Sequence, residues 1–189
     1  MPFSYTTRPG KTYYLHKGPK KGGGIQYFLS TDPEGELADS IPDGFEVYET
    51  ANGQAYLRRK KPRVIEAAEL ACVRQELSKR PTGVCRYTVE VSGNMIVVHE
   101  AETRFDFMRE LNPFLSDRDM ETLSAKHAHY MPMMRFVLVD QARRLFRPER
   151  YCFRGRVDDW ISIGEPGTIE KGAVKYLKHL GRDSFYDLF

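Results

Sequence analysis

The stretch "VCRYTVEVSGNMIVV", residues 84–98, carries the clearest strand–turn–strand pattern in the chain. Apolar and polar side chains alternate with the period of two that is typical of a half-buried β-strand. Gly93-Asn94 divides the stretch and supplies a tight turn. We therefore predict a β-hairpin that packs in the core through an inward face containing Cys85, Tyr87, Val89 and Val91.

A second hairpin is predicted from "YYLHKGPKKGGGIQYFLS", residues 13–30, where glycines separate two aromatic-rich runs. Alternation places aromatic side chains on both faces of this hairpin. One face carries Tyr13, Leu15, Tyr27 and Leu29. The other carries Tyr14, His16, Gln26 and Phe28. Since only one face can pack in the core, we expect the second face to contact another layer or a ligand.

A third hairpin is predicted in residues 45–59, because Asn52-Gly53 is the strongest short signal for a hairpin turn. A two-residue turn at this point places Tyr48 opposite Leu57 and Glu46 opposite Arg59. Pro62 then ends the strand, since proline cannot donate a hydrogen bond to a sheet.

Three segments have the period of amphipathic helices instead. The first is residues 64–80, with an apolar stripe that includes Ile65, Ala68, Leu70, Cys72, Val73 and Leu77. The second follows Ser116, a favourable N-cap, and has His127 at the edge of the core. The third is residues 165–181, opened by Pro166 and lined by Ile169, Ala173, Tyr176, Leu177 and Leu180. Phe185, Leu188 and Phe189 are expected to fold back on the body.

Strands are again expected in residues 133–140 and 144–157. Locally joined hairpins imply antiparallel sheet, and the helices do not follow a βαβ rhythm. The sequence thus predicts an α+β protein, with an antiparallel sheet built from successive β-hairpins and about three helices packed mainly on one face. We predict a basic, hairpin-rich N-terminal module in residues 1–62 and an α+β core in residues 63–189. A single domain of residues 1–189 is the alternative.

Composition indicates a cytoplasmic protein with no membrane partner. Of the 189 residues, 41% are hydrophobic and 29% are charged, so neither a disordered nor a membrane protein is expected. No apolar run approaches the roughly 20 residues of a membrane-spanning helix, and the N-terminus lacks the pattern of a secretory signal. The three cysteines, Cys72, Cys85 and Cys152, are odd in number, and no two of them are close in sequence. This favours buried, reduced thiols over disulfides or a zinc site.

Positive charge is concentrated in the N-terminal third, since residues 1–63 hold ten Lys/Arg and seven Asp/Glu. The remaining residues hold nineteen of each, so the whole net charge of +3 comes from this part. Together with the exposed aromatic face, the excess favours an anionic partner, either nucleic acid or another polyanion. The candidate nucleic-acid-binding residues are Tyr14, Lys17, Lys20, Lys21, Phe28, Arg58, Arg59, Lys60, Lys61 and Arg63.

Simpler interpretations compete with this one. The lysines of the glycine-rich loop also fit a solvated hairpin tip, and this loop lacks the spacing and the following helix of a phosphate-binding loop. The run at 58–63 also fits an edge strand protected by charge. A later group comprises Arg143, Arg144, Arg147, Arg150, Arg154 and Arg156, for which internal ion pairs with Glu149, Asp158 and Asp159 are the favoured interpretation.

Catalytic signatures are missing from the sequence, so no catalytic residue is assigned and a non-enzymatic protein is favoured. His127 and His129 would point to opposite sides of a helix, which argues against a shared metal ion. His99, opposite Thr88, and the Asp158-Asp159 pair are weak signals for acid–base or metal chemistry. We therefore expect no metal and no cofactor.

The pattern "YYLHKG…YFLS…IPDGFEVYE…NGQAYLRR" resembles a family of uncharacterised bacterial proteins, mainly over residues 13–59. The resemblance implies a bacterial cytosolic protein and brings no activity, cofactor or site residue with it. The sequence as a whole predicts a soluble binding protein for nucleic acid or another polyanion. A protein-interaction or assembly module is the first alternative, and an enzyme of unknown class is the second.

Overall fold

The computed structural model describes residues 1–80, 86–102, 111–153 and 158–189. These residues form an α+β fold of antiparallel β-hairpins and three α-helices, which confirms the predicted fold class. They divide into two compact units. The first unit comprises Met1–Pro62 and Ala125–His127, and the second comprises Arg63–Ser124 and Ala128–Phe189.

Five strands belong to the first unit. They are β1 (Ser4–Thr6), β2 (Thr12–Pro19), β3 (Ile25–Ser30), β4 (Phe45–Glu49) and β5 (Ala55–Arg59). Strands β1, β2 and β3 form one antiparallel sheet in that order, and β4 and β5 form a separate hairpin. In the β2–β3 hairpin Leu15 is opposite Leu29 and His16 is opposite Phe28, which confirms the two faces assigned from the sequence.

The register predicted for the β4–β5 hairpin is wrong by one residue. Tyr48 is opposite Tyr56, and Glu46 is opposite Arg58. The cause is a three-residue turn, in which the Gly53 amide donates to the Thr50 carbonyl at 2.9 Å. Gly53 has a φ of +69°, the left-handed conformation that ends such a turn and adds one residue to the loop.

The second unit is built on a five-stranded antiparallel sheet. Its strands are β6 (Tyr87–Ser92), β7 (Met95–Ala101), β8 (Tyr130–Asp140), β9 (Leu145–Phe153) and β10 (Asp158–Ser162). They lie side by side in the order β10-β9-β8-β7-β6. Val89 pairs with Val98 across the β6–β7 hairpin, as the alternation predicts. Gly93 has a φ of +61° at the first turn position, where a type II′ turn requires glycine.

Two helices, α1 (Ala67–Ser78) and α3 (Ile169–Leu177), pack together on one face of this sheet. Core side chains from the helices are Val73, Leu77, Ile169, Ala173, Tyr176 and Leu177. Core side chains from the sheet include Tyr87, Ile96, Val98, Met134, Phe136 and Phe146. Val89 and Val91 are half-buried and pack against the same core, which confirms the inward face of the hairpin.

Helix α1 starts at Ala67, and its inward row differs from the predicted stripe. Ala68 is exposed, whereas Glu69 is 6% exposed and lies in line with Val73 and Leu77. Positions four residues apart lie on one side of a helix, so Glu69 lies in the buried row of α1, where an amphipathic pattern predicts a hydrophobic residue. Arg144 compensates the buried carboxylate through a two-point ion pair.

The helix α2 (Asp117–His127) begins after Ser116, whose side-chain oxygen accepts from the Asp119 amide at 3.2 Å. This contact confirms the predicted N-cap. His127 is exposed, so its assignment to the edge of the core is wrong. The last polar residues of α2 face solvent where the sequence suggested a continued apolar stripe.

The C-terminal segment contains a 3₁₀ turn at Asp183–Phe185. The residue before α3 is Thr168, so Pro166 lies before the helix rather than at its first position. Phe185 is buried and Leu188 packs against the core, as expected. Phe189 is 78% exposed, with its ring centre 5.5 Å from the Arg150 guanidinium carbon, so it lies against the surface of the body and not in the core.

The thiols of Cys72 and Cys152 are free and half-buried rather than fully buried. Cys85 lies outside the described residues, as do Arg154 and Arg156 of the late arginine group. In the described part of the chain, none of the helices has the length and apolar character needed to cross a lipid bilayer.

Candidate nucleic-acid interface

Tyr14 and Phe28 lie on the same face of the β2–β3 hairpin, because Tyr14 is two residues from His16, the partner of Phe28. Phe28 is 44% exposed, and its ring stacks on His16 with centroids 5.2 Å apart and planes inclined by 15°. His16 is buried, with its Nε2 2.9 Å from the Asp32 carbonyl. One side of the Phe28 ring is therefore occupied within the protein.

Lys17 lies on the opposite face of the hairpin from Phe28, in register with Tyr27. Its ammonium group is 3.4 Å from a carboxylate oxygen of Glu36. Lys17 is therefore separated from the aromatic pair by the sheet itself, and part of its charge is compensated by Glu36.

Lys20 and Lys21 lie at the exposed tip of the β2–β3 hairpin. The Lys20 amide donates to the Gly24 carbonyl at 3.0 Å, and the Gly23 amide donates to the Lys20 carbonyl at 2.9 Å. Gly23 and Gly24 have φ values of +87° and +90°, which glycine adopts without steric cost. The turn thus presents two ammonium groups on a compact tip.

Tyr48 and Tyr56 form a cross-strand pair on the β4–β5 hairpin. Tyr56 is 51% exposed, and its hydroxyl donates to Gln54 at 2.9 Å. The Arg58 guanidinium carbon lies 3.9 Å from the centre of the Tyr48 ring, a cation–π distance, and its Nε donates to Glu46 at 2.9 Å. The four alternating side chains make one outward surface, which we call the Tyr56 face: Glu46, Tyr48, Tyr56 and Arg58.

The position of the β4–β5 hairpin follows from Tyr5 and Glu49. Tyr5 is in register with Tyr13 and therefore on the same sheet face as Leu15. Its hydroxyl donates to Glu49 at 2.8 Å, and the Arg8 amide donates to the other Glu49 oxygen at 3.0 Å. Burial, and then the contact with Glu49, raise the pKa of Tyr5. The β4–β5 hairpin thus covers the apolar face of the three-stranded sheet.

The two candidate surfaces consequently point in opposite directions. Glu49 is one residue from Tyr48 and faces the three-stranded sheet, so the Tyr56 face is turned away from it. Tyr14 and Phe28 lie on the far side of that sheet. The fold therefore does not form the single groove considered from the sequence, in which Tyr14 and Phe28 lie beside the basic run.

The rest of the basic run follows β5. Arg59 is exposed, with its guanidinium carbon 5.9 Å from the centre of the Phe45 ring. Lys60 and Lys61 are exposed, and the Lys60 amide donates to the Gly44 carbonyl at 2.8 Å, which extends the hairpin by one residue. Arg63 is exposed as well, but it belongs to the second unit.

The sequence interpretation missed Tyr48 and Tyr56 as partners. Their pairing depends on the length of the turn, and a two-residue turn puts Leu57 opposite Tyr48 instead. A three-residue turn ending in glycine is the next most common hairpin loop, and considering it would have found the pair.

Four arginines of the late group are described, and all contact other parts of the second unit. Arg143 pairs with Asp140 at 2.7 Å, and Arg147 pairs with Glu149 at 2.8 Å. Arg144 pairs with Glu69. Arg150 is 4% exposed and donates to the Leu188 and Tyr186 carbonyls at 3.0 and 3.1 Å. Internal contacts therefore account for these four, although Arg150 is held by backbone oxygens rather than by a carboxylate.

Two histidines that the sequence offered for metal or acid–base chemistry, His99 and His129, are among the described residues of the second unit. His129 contacts Glu102 at 2.8 Å on the exposed surface. His99 is opposite Thr88, as predicted. Among the described residues, no three His, Cys, Asp or Glu side chains are close enough to hold a metal ion.

No family model, curated protein or solved structure matches the chain. Function is carried by sites rather than by folds, so the contacts of the first unit are the basis for the proposal that follows.

Proposed function

We propose that the N-terminal unit is a non-enzymatic binding module for polyanions, with single-stranded nucleic acid as the ligand of the Tyr56 face. The observation that carries the proposal is the half-exposed ring of Tyr56 beside Tyr48 and Arg58, followed at once by exposed Lys60 and Lys61. Bases stack on aromatic rings, while lysines attract the phosphate backbone.

The charges around this surface support phosphate contacts without sequence selectivity. Glu46 compensates Arg58, whereas Lys60 and Lys61 extend beyond the paired strands. Lysine is a compact point charge, which suits a phosphate and carries no information about the base. We therefore propose weak, salt-sensitive binding with little preference among sequences.

The tip of the β2–β3 hairpin is proposed as a second, separate contact. Lys20 and Lys21 are exposed, and Phe28 offers one ring face on the same hairpin. Because this surface points away from the Tyr56 face, a short oligonucleotide is proposed to occupy one or the other. A bacterial, cytoplasmic setting belongs to the proposal and is in keeping with the free thiols of Cys72 and Cys152.

Fluorescence anisotropy with a labelled single-stranded oligonucleotide of about 12 nucleotides tests the proposal. We expect micromolar or weaker binding at about 50 mM salt, with affinity falling steeply toward about 200 mM. The double variant Lys60→Ala/Lys61→Ala removes two phosphate contacts. It is expected to flatten the slope of log affinity against log salt by about 1.4, since each contact to a single strand contributes about 0.7.

The matched control is Lys171→Ala/Lys175→Ala, which removes the same charge from the exposed side of α3 in the other unit. This variant should keep the slope of the unmodified protein. An absence of binding at the lower salt concentration would reject the proposal and favour a protein-interaction module. Equal flattening by both double variants would show that net charge alone attracts the oligonucleotide.

A further inference from the structure

Strand β3 forms an open edge of the three-stranded sheet, because β2 is the one described strand to which it is hydrogen-bonded. Ile25 is 64% exposed and Phe28 is 44% exposed, and Gln26 is exposed as well. The strand contains neither a charged residue nor a proline. An exposed, uncharged edge strand is a template on which another strand can pair.

The other described edge strands are protected against such pairing. Strand β1 has only three residues. Strand β6 carries Glu90, and β10 carries Asp158 and Asp159. Strands β4 and β5 carry Glu46 and Arg58 among other charges. Short length and charge both discourage edge-to-edge pairing, so β3 is the edge in the described part of the chain that has neither protection.

The hydrogen bonds of β2 show which backbone groups of β3 point outward. The Lys17 amide donates away from β3, to the Glu36 carbonyl at 2.9 Å, and Lys17 is opposite Tyr27. In an antiparallel pair, residues that do not bond to each other both point their backbone groups away from the pair. The amide and carbonyl of Tyr27 therefore point outward, as do those of Ile25 two residues earlier. Within the described residues, neither Ile25 nor Tyr27 makes a backbone hydrogen bond on this outer side.

We propose that β3 is a dimerisation edge, on which β3 of a second copy of this chain pairs antiparallel about a two-fold axis. The axis is placed at Gln26, because Leu29 and Ser30 at the other end of the strand are half-buried. Ile25 of each copy then exchanges backbone hydrogen bonds with Tyr27 of the other copy. The contact uses the same patch on both copies, as two-fold symmetry requires.

The lack of charge on β3 selects a second copy over an extended segment of another protein. In the two-fold pair the Gln26 side chains lie opposite each other, and like charges at such a position would be destabilising. A neutral strand avoids this repulsion and has no charge with which to recognise a different partner. The pairing joins the three-stranded sheets of two copies into one continuous sheet.

The dimer is expected to be weak and dependent on concentration. Pairing of one short edge buries less than the about 1,200–2,000 Å² of a stable interface. The inference goes beyond the proposed binding of polyanions and does not depend on it. The Lys60→Ala/Lys61→Ala variant should therefore dimerise like the unmodified protein, whatever the result of the oligonucleotide experiment.

Sedimentation velocity of the full chain tests the proposal. We expect the average mass to rise from one chain toward two as the concentration increases through the micromolar range. Ile25→Pro removes an outward amide and no hydrogen bond to β2. It should weaken dimerisation by about tenfold or more, because each copy loses one hydrogen bond to the other. The control Ile25→Val keeps the amide and a β-branched side chain, and should dimerise like the unmodified protein.

A charge exchange at the axis tests the register. Gln26→Lys and Gln26→Glu should each be monomeric at low salt, whereas an equimolar mixture of the two should associate. Because Gln26 is exposed, both variants should keep the melting temperature of the unmodified protein. A single-chain mass at every concentration would overturn the proposal and favour a strand from another protein as the occupant of this edge. An unchanged dimer of Ile25→Pro, or a mixture that stays monomeric, would overturn it as well.

Discussion

Arg144 and Glu69 are joined by a two-point ion pair that ties the β8–β9 turn to the first turn of α1. The Arg144 Nε donates to one Glu69 oxygen at 2.8 Å, and its Nη2 donates to the other. Arg144 has a φ of +52°, the left-handed conformation that is uncommon for a residue with a side chain. The hydrogen bonds to Glu69 raise the pKa of Arg144, so its guanidinium stays charged.

Removing Arg144 should therefore destabilise the second unit strongly. Arg144→Ala leaves the Glu69 carboxylate buried without its partner, which we expect to cost about 3–5 kcal/mol. Arg143→Ala is the matched control, because Arg143 is a neighbouring exposed arginine paired with Asp140, and it should cost less than about 1 kcal/mol. Urea denaturation of both variants makes the comparison. Equal midpoints would mean that the buried pair contributes no more than the surface pair.

The Tyr56 ring should matter for binding and not for folding. Tyr56→Ala is expected to weaken oligonucleotide binding by about 1–3 kcal/mol, the value of one base–aromatic stack. Because Tyr56 is half-exposed, the melting temperature of the Tyr56→Ala variant should differ little from that of the unmodified protein. Phe28→Ala and Tyr14→Ala are compared in the same assays. A lower melting temperature with unchanged affinity would assign the altered ring to packing alone.

The inward face of the β6–β7 hairpin can be tested with two neighbouring substitutions. Val89→Asp places a carboxylate against the core and should cost several kcal/mol, out of a total stability of about 5–15 kcal/mol. Thr88→Asp, on the other face, should cost less than about 1 kcal/mol. Chemical denaturation measures both. Similar midpoints would contradict the observed register, since a shift by one residue exchanges the two faces.

Substitution of Gly53 should destabilise the first unit more than substitution of any solvent-exposed glycine of that unit. Gly53→Ala forces a side chain into the left-handed region, at about 1–3 kcal/mol, and adds an overlap with the ring of Pro9. Gly22→Ala serves as control, because a Cβ there meets no atom within 4 Å and its φ is not left-handed. Thermal unfolding should separate the variants clearly, and comparable melting temperatures would argue against the observed turn.

Local patterns predicted most of the fold because hairpins are local structures. The β6–β7 register follows from alternation and from a glycine at the turn, both visible within fifteen residues. The register of β4–β5 was harder, since Asn52-Gly53 fits turns of two lengths. The hairpin has the longer turn, and Gly53 in that turn lies against Pro9, a residue more than forty positions earlier.

The burial of Glu69 could not be predicted from its own helix, because its partner Arg144 is 75 positions later in the chain. The candidate interface had the same limit. Alternation gave the faces of the β2–β3 and β6–β7 hairpins correctly, but the packing of one hairpin on another decides which faces share a surface. That packing depends on Tyr5 and Glu49, separated by 44 positions.

The sequential order of the five-stranded sheet has a kinetic consequence. Each described strand pairs with the next described strand along the chain, so the sheet can form stepwise with few long loops to close. The docking of α1 on α3 is different, since the Arg80 contact to Leu180 spans 100 positions. Closing such a loop costs entropy that only late packing returns. The strands of the sheet should therefore pair before the helices dock. Leu77→Ala in α1 should then chiefly accelerate unfolding and leave the refolding rate nearly unchanged.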